Sequence, residues 1–120
     1  MAKIILIEDD MTMLSLLTTL LEMEGFQVLT MGDDTLENVL IALHRDPPDV
    51  ALMDVHLRLL NGMDLLRRIR QDHTLDKIRV IMCSGMDLSD ECLQAGASAF
   101  MLKPYMPDDL INEIQKVISQ

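Results

Sequence analysis

The chain has 120 residues, 49% of them apolar, with 20 acidic against 10 basic side chains for a formal net charge of −10. Such a length holds one domain with a real core, which excludes a disordered chain and leaves no room for a second catalytic module. The negative excess argues against a nucleic-acid or anionic-membrane surface, since Lys and Arg hold both, and favours a cation or a basic partner as guest.

With two Phe, one Tyr and no Trp, the 11 Met and the many Leu are expected to fill the core. Cys83 is expected in a buried strand and Cys92 in a helix; they form no CxxC pair, and with His44, His56 and His73 they show no zinc spacing. Neither a secretory leader pattern nor an apolar run near the ~18 residues of a membrane span is read. A reducing cytosol is the expected compartment, so the protein is expected to be cytoplasmic.

In chain order, the first strand is expected over Lys3–Ile7, where near-continuous apolar character suits burial on both faces. A helix follows from about Met11 to Glu24, with Leu14, Leu17, Leu20 and Leu21 on one face and Gly25 as its stop. A strand over Gln27–Met31 precedes a helix from about Thr35 to His44, faced by Leu36, Val39, Leu40 and Leu43. Val50–Met53 is the third strand and Gly62 to Arg70 the third helix, carrying Leu65, Leu66 and Ile69. Arg79–Cys83 is a strand, Ser89 to Ala95 a short helix, and Ala99–Leu102 the last strand. Pro107 opens the fifth helix, Asp108 and Asp109 complement its dipole, and Leu110, Ile111, Ile114, Val117 and Ile118 form its stripe.

Strands alternating with helices in a (βα)5 pattern predict an α/β, doubly wound parallel sheet of five strands. The common strand order for such a flavodoxin-like sheet is 2-1-3-4-5, and ligands bind outside the carboxyl ends of the strands. The first strand ends in Glu8-Asp9-Asp10, where a nucleotide binder would place a glycine-rich phosphate loop; no GxGxxG or GxxxxGK[ST] occurs in the chain. The third strand ends in Asp54, which the expected order sets across the crevice from Glu8 and Asp9. Three converging carboxylates repel one another, and Mg²⁺, which takes carboxylate oxygens and keeps waters, resolves the conflict. The fourth strand ends in Cys83-Ser84-Gly85 and the fifth in Leu102-Lys103-Pro104, adding a hydroxyl and an ammonium. Each of these residues alone has an ordinary reading as helix cap, strand end, turn residue or solvated charge. Converging, they fit phosphoryl transfer to a carboxylate, with Asp54 attacking, Ser84 hydrogen-bonding and Lys103 and a metal neutralising the phosphoryl oxygens.

The motifs IILIED at Ile4–Asp9, DVALMD at Asp49–Asp54, Asn61-Gly62, Ser84-Gly85 and GASAFMLKP at Gly96–Pro104 span essentially the whole chain. In these the sequence resembles the receiver domain of two-component response regulators, in its single-domain, chemotaxis-regulator-like form. The resemblance implies that Asp54 accepts a phosphoryl group from a histidine kinase or phosphotransfer protein. It implies that Asp9 and Asp54 ligate Mg²⁺ directly, Glu8 through water, and His56 through its backbone carbonyl. It makes Ser84 and Phe100 the switch residues, pairs Lys103 with the phosphoryl oxygens, and expects a cis bond from Lys103 to Pro104. Downstream it implies a protein target or a fused output domain, with no direct nucleic-acid or membrane contact, and no enzyme activity beyond the domain's own phosphorylation and dephosphorylation.

Arg58 stands where the family usually has Pro, and the stretch from Ser84 to Gly96 is a few residues shorter than usual, so the fourth helix should lose nearly a turn. His56 and Met86 hold the positions that tune dephosphorylation in the family, and apolar Met86 cannot position an attacking water, which suggests a longer-lived phosphoryl group. Alternatives are a docking module that is never phosphorylated, and a Mg²⁺-dependent phosphatase of the haloacid dehalogenase type. The latter normally needs a second Asp where His56 stands, and a cap domain. An FMN binder fits least, since stacking aromatics and a phosphate loop are missing.

Overall fold

Alternation of apolar side chains along each strand sorts them onto two faces, and helices cover both. The computed structural model describes residues 1–32 and 34–120. Its elements are β1 (Lys3–Ile7), α1 (Met11–Met23), β2 (Gln27–Met31), α2 (Leu36–Arg45), β3 (Val50–Asp54), α3 (Gly62–Gln71), a 3₁₀ turn (His73–Leu75), β4 (Arg79–Ser84), α4 (Ser89–Gln94), β5 (Ala99–Leu102) and α5 (Pro107–Ile118). The strands form one sheet in the order β2-β1-β3-β4-β5, every neighbouring pair parallel, as the sequence pattern predicts.

Ile4, Leu6, Val50, Leu52, Ile81, Cys83 and Met101 point to one face and pack against Leu14, Leu17 and Leu21 of α1 and Leu110, Ile114 and Val117 of α5. Ile5, Ile7, Ala51, Met53, Val80 and Met82 point to the other, against Val39, Leu40 and Leu43 of α2, Leu65, Leu66 and Ile69 of α3 and Cys92 of α4. Leu and β-branched side chains make up most of this core, so the expectation of a core filled by Met and Leu holds for Leu and fails for most of the Met. Only Met53, Met82 and Met101 are buried, while Met11, Met23, Met86 and Met106 are exposed. Stiff, close-packing Ile and Val fill most of the strand interiors, the three buried thioethers fill strand positions among them, and the exposed Met lie on α1 and in loops. Among the described residues no helix is long and apolar enough to cross a membrane.

Element ends follow local capping. Asp10 caps α1, its carboxylate accepting from Met13 N–H at 3.1 Å, which leaves Glu8 and Asp9 for the crevice. Thr35, expected inside α2, is its cap and accepts from Asn38 N–H at 3.2 Å. Asn61 caps α3 by accepting from Met63 N–H at 2.8 Å. α4 is only six residues long and carries no side-chain cap, in keeping with the shortening read from the sequence. Arg70 of α3 steadies its far end, donating from Nε to the Gly96 carbonyl at 2.8 Å. The 3₁₀ turn was not expected; Asp72 builds it by accepting from Thr74 N–H at 2.9 Å, and Leu75 buries beneath it.

Candidate functional site

Register places the site. Ile7 pairs with Met53, so Glu8 and Asp54 leave β1 and β3 side by side. Asp54 is level with Cys83 and Ser84 with Leu102, so Ser84 ends β4 beside the start of the Lys103 segment. A backbone hydrogen bond from Lys103 N–H to the Ser84 carbonyl, 2.8 Å, joins those two ends. The strands are thus cut to length so that their polar terminal residues meet at one edge, at the switch point between β1 and β3.

Within the crevice Lys103 Nζ donates to Asp54 Oδ2 at 2.5 Å and stands 3.5 Å from Glu8 Oε2. Burial works against the ammonium, but the hydrogen bond to Asp54 and the charges of Asp54 and Glu8 outweigh it and raise the pKa of Lys103. The other Asp54 oxygen, Oδ1, accepts from His56 N–H at 2.9 Å. Asp9 Oδ2 accepts from Arg58 N–H at 2.7 Å, with the Arg58 guanidinium Nε 3.9 Å away. The bond from Lys103 to Pro104 is cis, as the resemblance implied.

Ser84 is fully buried, its Oγ accepting from Met86 N–H at 3.1 Å, so it is engaged with its own turn. Phe100 on β5 is half-buried against the α2–α3–α4 core. Cys83 lies behind Asp54, its thiol directed at the Met53 carbonyl, and burial pushes its pKa up to about 12. It is a packed strand residue, as expected. Burial likewise raises the pKa of the Tyr105 phenol beside the crevice.

The structure therefore brings Glu8, Asp54 and Lys103 into direct contact and sets Asp9 at the rim, while the Ser84 hydroxyl is engaged by the Met86 amide and Phe100 packs against the core. Sequence reasoning missed two contributors. Arg58 reads in the sequence as a change of shape or charge in the loop before α3, but not as a partner of Asp9, to which its N–H donates, a bond that proline, lacking that hydrogen, cannot make. Gly62 was read only as part of a motif; a Cβ there would stand 2.3 Å from the Asp54 carbonyl oxygen. The signal available for it was a glycine following a capping Asn at a helix start.

The oxygens of Glu8, Asp9 and Asp54 are hard donors of the kind Mg²⁺ takes, and Lys103 already satisfies the demand of two of them for positive charge. Among the described residues no three His, Cys, Asp or Glu side chains form a ready-made metal cage. Mg²⁺ commonly takes one or two carboxylates and fills its octahedron with water, so the donor set fits the ion without such a cage.

The chain is thus a doubly wound α/β domain with an aspartate–lysine pair in an acidic crevice at the carboxyl edge of its sheet. Over residues 4–115 the chain matches the response regulator receiver domain, and it belongs to that family. It is 35% identical over 119 residues to the transcriptional regulatory protein CpxR of Klebsiella pneumoniae, covering 98% of this chain and 50% of that protein. The chain spans about half the length of the curated relatives it matches. In fold it resembles the receiver domain of the Francisella response regulator 1452, with a TM-score of 0.89 at 23% identity, covering 99% of this chain and 98% of that one. It also resembles the receiver domain of the sensor histidine kinase PA1611 of Pseudomonas aeruginosa, whose structure has a magnesium ion coordinated in the active-site cleft. That match has a TM-score of 0.85 at 24% identity, covering 99% of this chain and 98% of that one.

Proposed function

We propose that this receiver domain accepts a phosphoryl group on Asp54 and that the modification changes what its surface binds. The observation that carries this is the Asp54 carboxylate at the end of a central strand, held 2.5 Å from Lys103 in a crevice whose other wall is Glu8. An Asp54 oxygen forms the bond to phosphorus as the phosphorus–nitrogen bond of a phosphohistidine or phosphoramidate breaks. The departing nitrogen takes a proton, and an acyl phosphate remains. Lys103 follows the charge from Asp54 to the phosphoryl oxygens. Ser84 Oγ leaves the Met86 amide and donates to one of them, and Phe100 repacks behind it.

Mg²⁺ would be held by Asp9 and Asp54, by Glu8 through water and by the His56 carbonyl. When bound it neutralises phosphoryl charge. Exposed, apolar Met86 offers an attacking water no hydrogen bond, which favours a long-lived adduct. A domain of this kind is a signal transducer and not an enzyme for an outside substrate.

The donor is a histidine kinase or phosphotransfer protein. Beside Lys103 lies an apolar cleft of about 430 Å³ between Leu16 and Leu17 of α1 and Pro104, Tyr105 and Pro107, and residues 11–21 carry no charge, so the apolar face of a helical donor can dock there. The receiver of the modified state is a separate protein or a fused output domain, as the greater length of the relatives suggests.

Intact mass after incubation with phosphoramidate tests the reading. One added phosphoryl group that needs both Mg²⁺ and Asp54, and is absent from Asp54→Asn, supports it. Failure of both the adduct and a beryllofluoride complex in the wild type overturns it and leaves a docking module without phosphorylation.

A further inference from the structure

The three carboxylates are divided between two cationic side chains. Lys103 reaches Asp54 and Glu8 from within, where its side chain is 25% exposed. Arg58 covers Asp9 from outside: its N–H donates to Oδ2 at 2.7 Å and its Nε stands 3.9 Å from the same oxygen. The Asp9 side chain is 20% exposed and that of Arg58 is 71% exposed, so the guanidinium lies on the solvent side of the carboxylate.

We propose that Arg58 is a built-in competitor for the divalent cation at Asp9, which couples cation binding to the placement of the 55–61 segment. The inference rests on the cation site proposed above. A cation ligated by Asp9 meets a like charge a few ångströms away. Ligation draws electron density from the Asp9 carboxylate, which weakens the bond it accepts from the Arg58 N–H, and the guanidinium must withdraw. The segment behind it is tied to the crevice by the His56 amide on Asp54, the Arg58 amide on Asp9 and the pairing of His56 with Asn61. Loosening the Arg58 tie therefore moves a loop whose next residue, Leu59, is an exposed apolar side chain. Coupling of this kind is reciprocal: whatever holds Arg58 away from Asp9 tightens the metal.

The test is calorimetric titration of the whole chain with Mg²⁺, for wild type, Arg58→Ala and Arg58→Lys, at low and high ionic strength. Repulsion between a largely exposed guanidinium and a dication at this range corresponds to an affinity about 3- to 10-fold tighter in Arg58→Ala at low salt. That advantage shrinks as salt screens it, and Arg58→Lys stays near wild type. The amide resonances of Leu57, Arg58 and Leu59 are a second readout: Mg²⁺ shifts them in wild type towards positions that Arg58→Ala already approaches without metal. Equal or weaker binding by Arg58→Ala, or an advantage that salt leaves unchanged, overturns the proposal while the phosphoacceptor reading stands. If no variant binds Mg²⁺, both fall.

Discussion

Gly62→Ala is the sharpest probe of how the fold positions the candidate acceptor. Gly62 opens α3, is buried, and donates its N–H to the Val55 carbonyl at 2.8 Å. An added Cβ would stand 2.3 Å from the Asp54 carbonyl oxygen and 2.9 Å from Val55 Cα, against an ordinary non-bonded separation of about 3.5 Å. These are backbone atoms, so no side chain can swing aside, and α3 and the end of β3 must part by about 1 Å. Overpacking of this kind costs about 1–3 kcal/mol. The gain from replacing Gly by Ala in a helix is at most about 0.5–1 kcal/mol and shrinks in the first turn, so sterics win. With a urea slope of about 1–3 kcal/mol/M, the denaturation midpoint should fall by about 1 M. The same 1 Å displaces Asp54 from Lys103, and phosphorylation by phosphoramidate should slow by up to about 10²-fold. Asn61→Ala is the control, since it loses the cap, for about 0.5–2 kcal/mol, without wedging the strand. A Gly62→Ala variant as stable and as readily phosphorylated as wild type would refute the argument.

Two further outcomes are expected. His44 links α2 to the turn after α3: Nδ1 faces the Leu40 carbonyl at 2.8 Å and Nε2 faces Asp72 Oδ2 at 2.7 Å, and only the protonated ring donates to both. The Asp72 bond, then the Leu40 carbonyl, raise the His44 pKa above 6.5, so this stabilisation is complete below that pH and is lost as pH rises through the higher folded-state value. His44→Gln should abolish that part of the pH dependence of the urea midpoint; an unchanged slope would contradict it. Lys103→Met removes the cation shared by Asp54 and Glu8 and should cut the phosphoramidate reaction by about 10²-fold or more while the fold persists. Since the Lys103 pKa is raised, its stabilising charge is complete below 10.5 and is lost only as pH climbs through the folded-state value. A wild-type rate that falls through lysine deprotonation below 10.5 would be inconsistent with the observed pair.

Period and strand ends carry most of the fold. Runs such as Ile4–Ile7 and the stripe from Leu110 to Val117 read plainly because each strand has two buried faces and each helix one. Polar residues just past four of the strands could be listed from sequence as one cluster because parallel crossovers send all carboxyl ends to the same edge. What stayed hidden depends on atoms far apart in sequence. Asp10 and Asp9 are adjacent carboxylates, yet one caps a helix and the other accepts from Arg58, 49 residues on. Gly62 matters because of a backbone approach to Asp54 that no local pattern encodes. The turn over His73–Leu75 is too short for any period, and only Asp72 with Thr74 marks it. Composition misled for Met, because abundance does not say which apolar residues the strands require.

A phosphoryl group would bring about −1.5 to −2 charge into a crevice where Lys103 is already shared between two carboxylates. Whatever moves in response must be cheap to move, because a usable switch separates its states by only a few kcal/mol. β1, β3 and β4 are buried on both faces and cannot yield without opening the core. α4 is different. It has six residues, no side-chain cap and one fully buried residue, Cys92, whose thiol lies 3.6 Å from Met63 Sδ, and Arg70 donates to the Gly96 carbonyl just past its end. It begins just after the Ser84–Met86 turn, so a Ser84 hydroxyl that lets go of the Met86 amide loosens the turn that leads into this short helix. The shortening of α4 therefore lowers the cost of moving it and need not weaken the response. The Arg70 tether, on the opposite side from the crevice, then becomes the pivot about which α4 would turn.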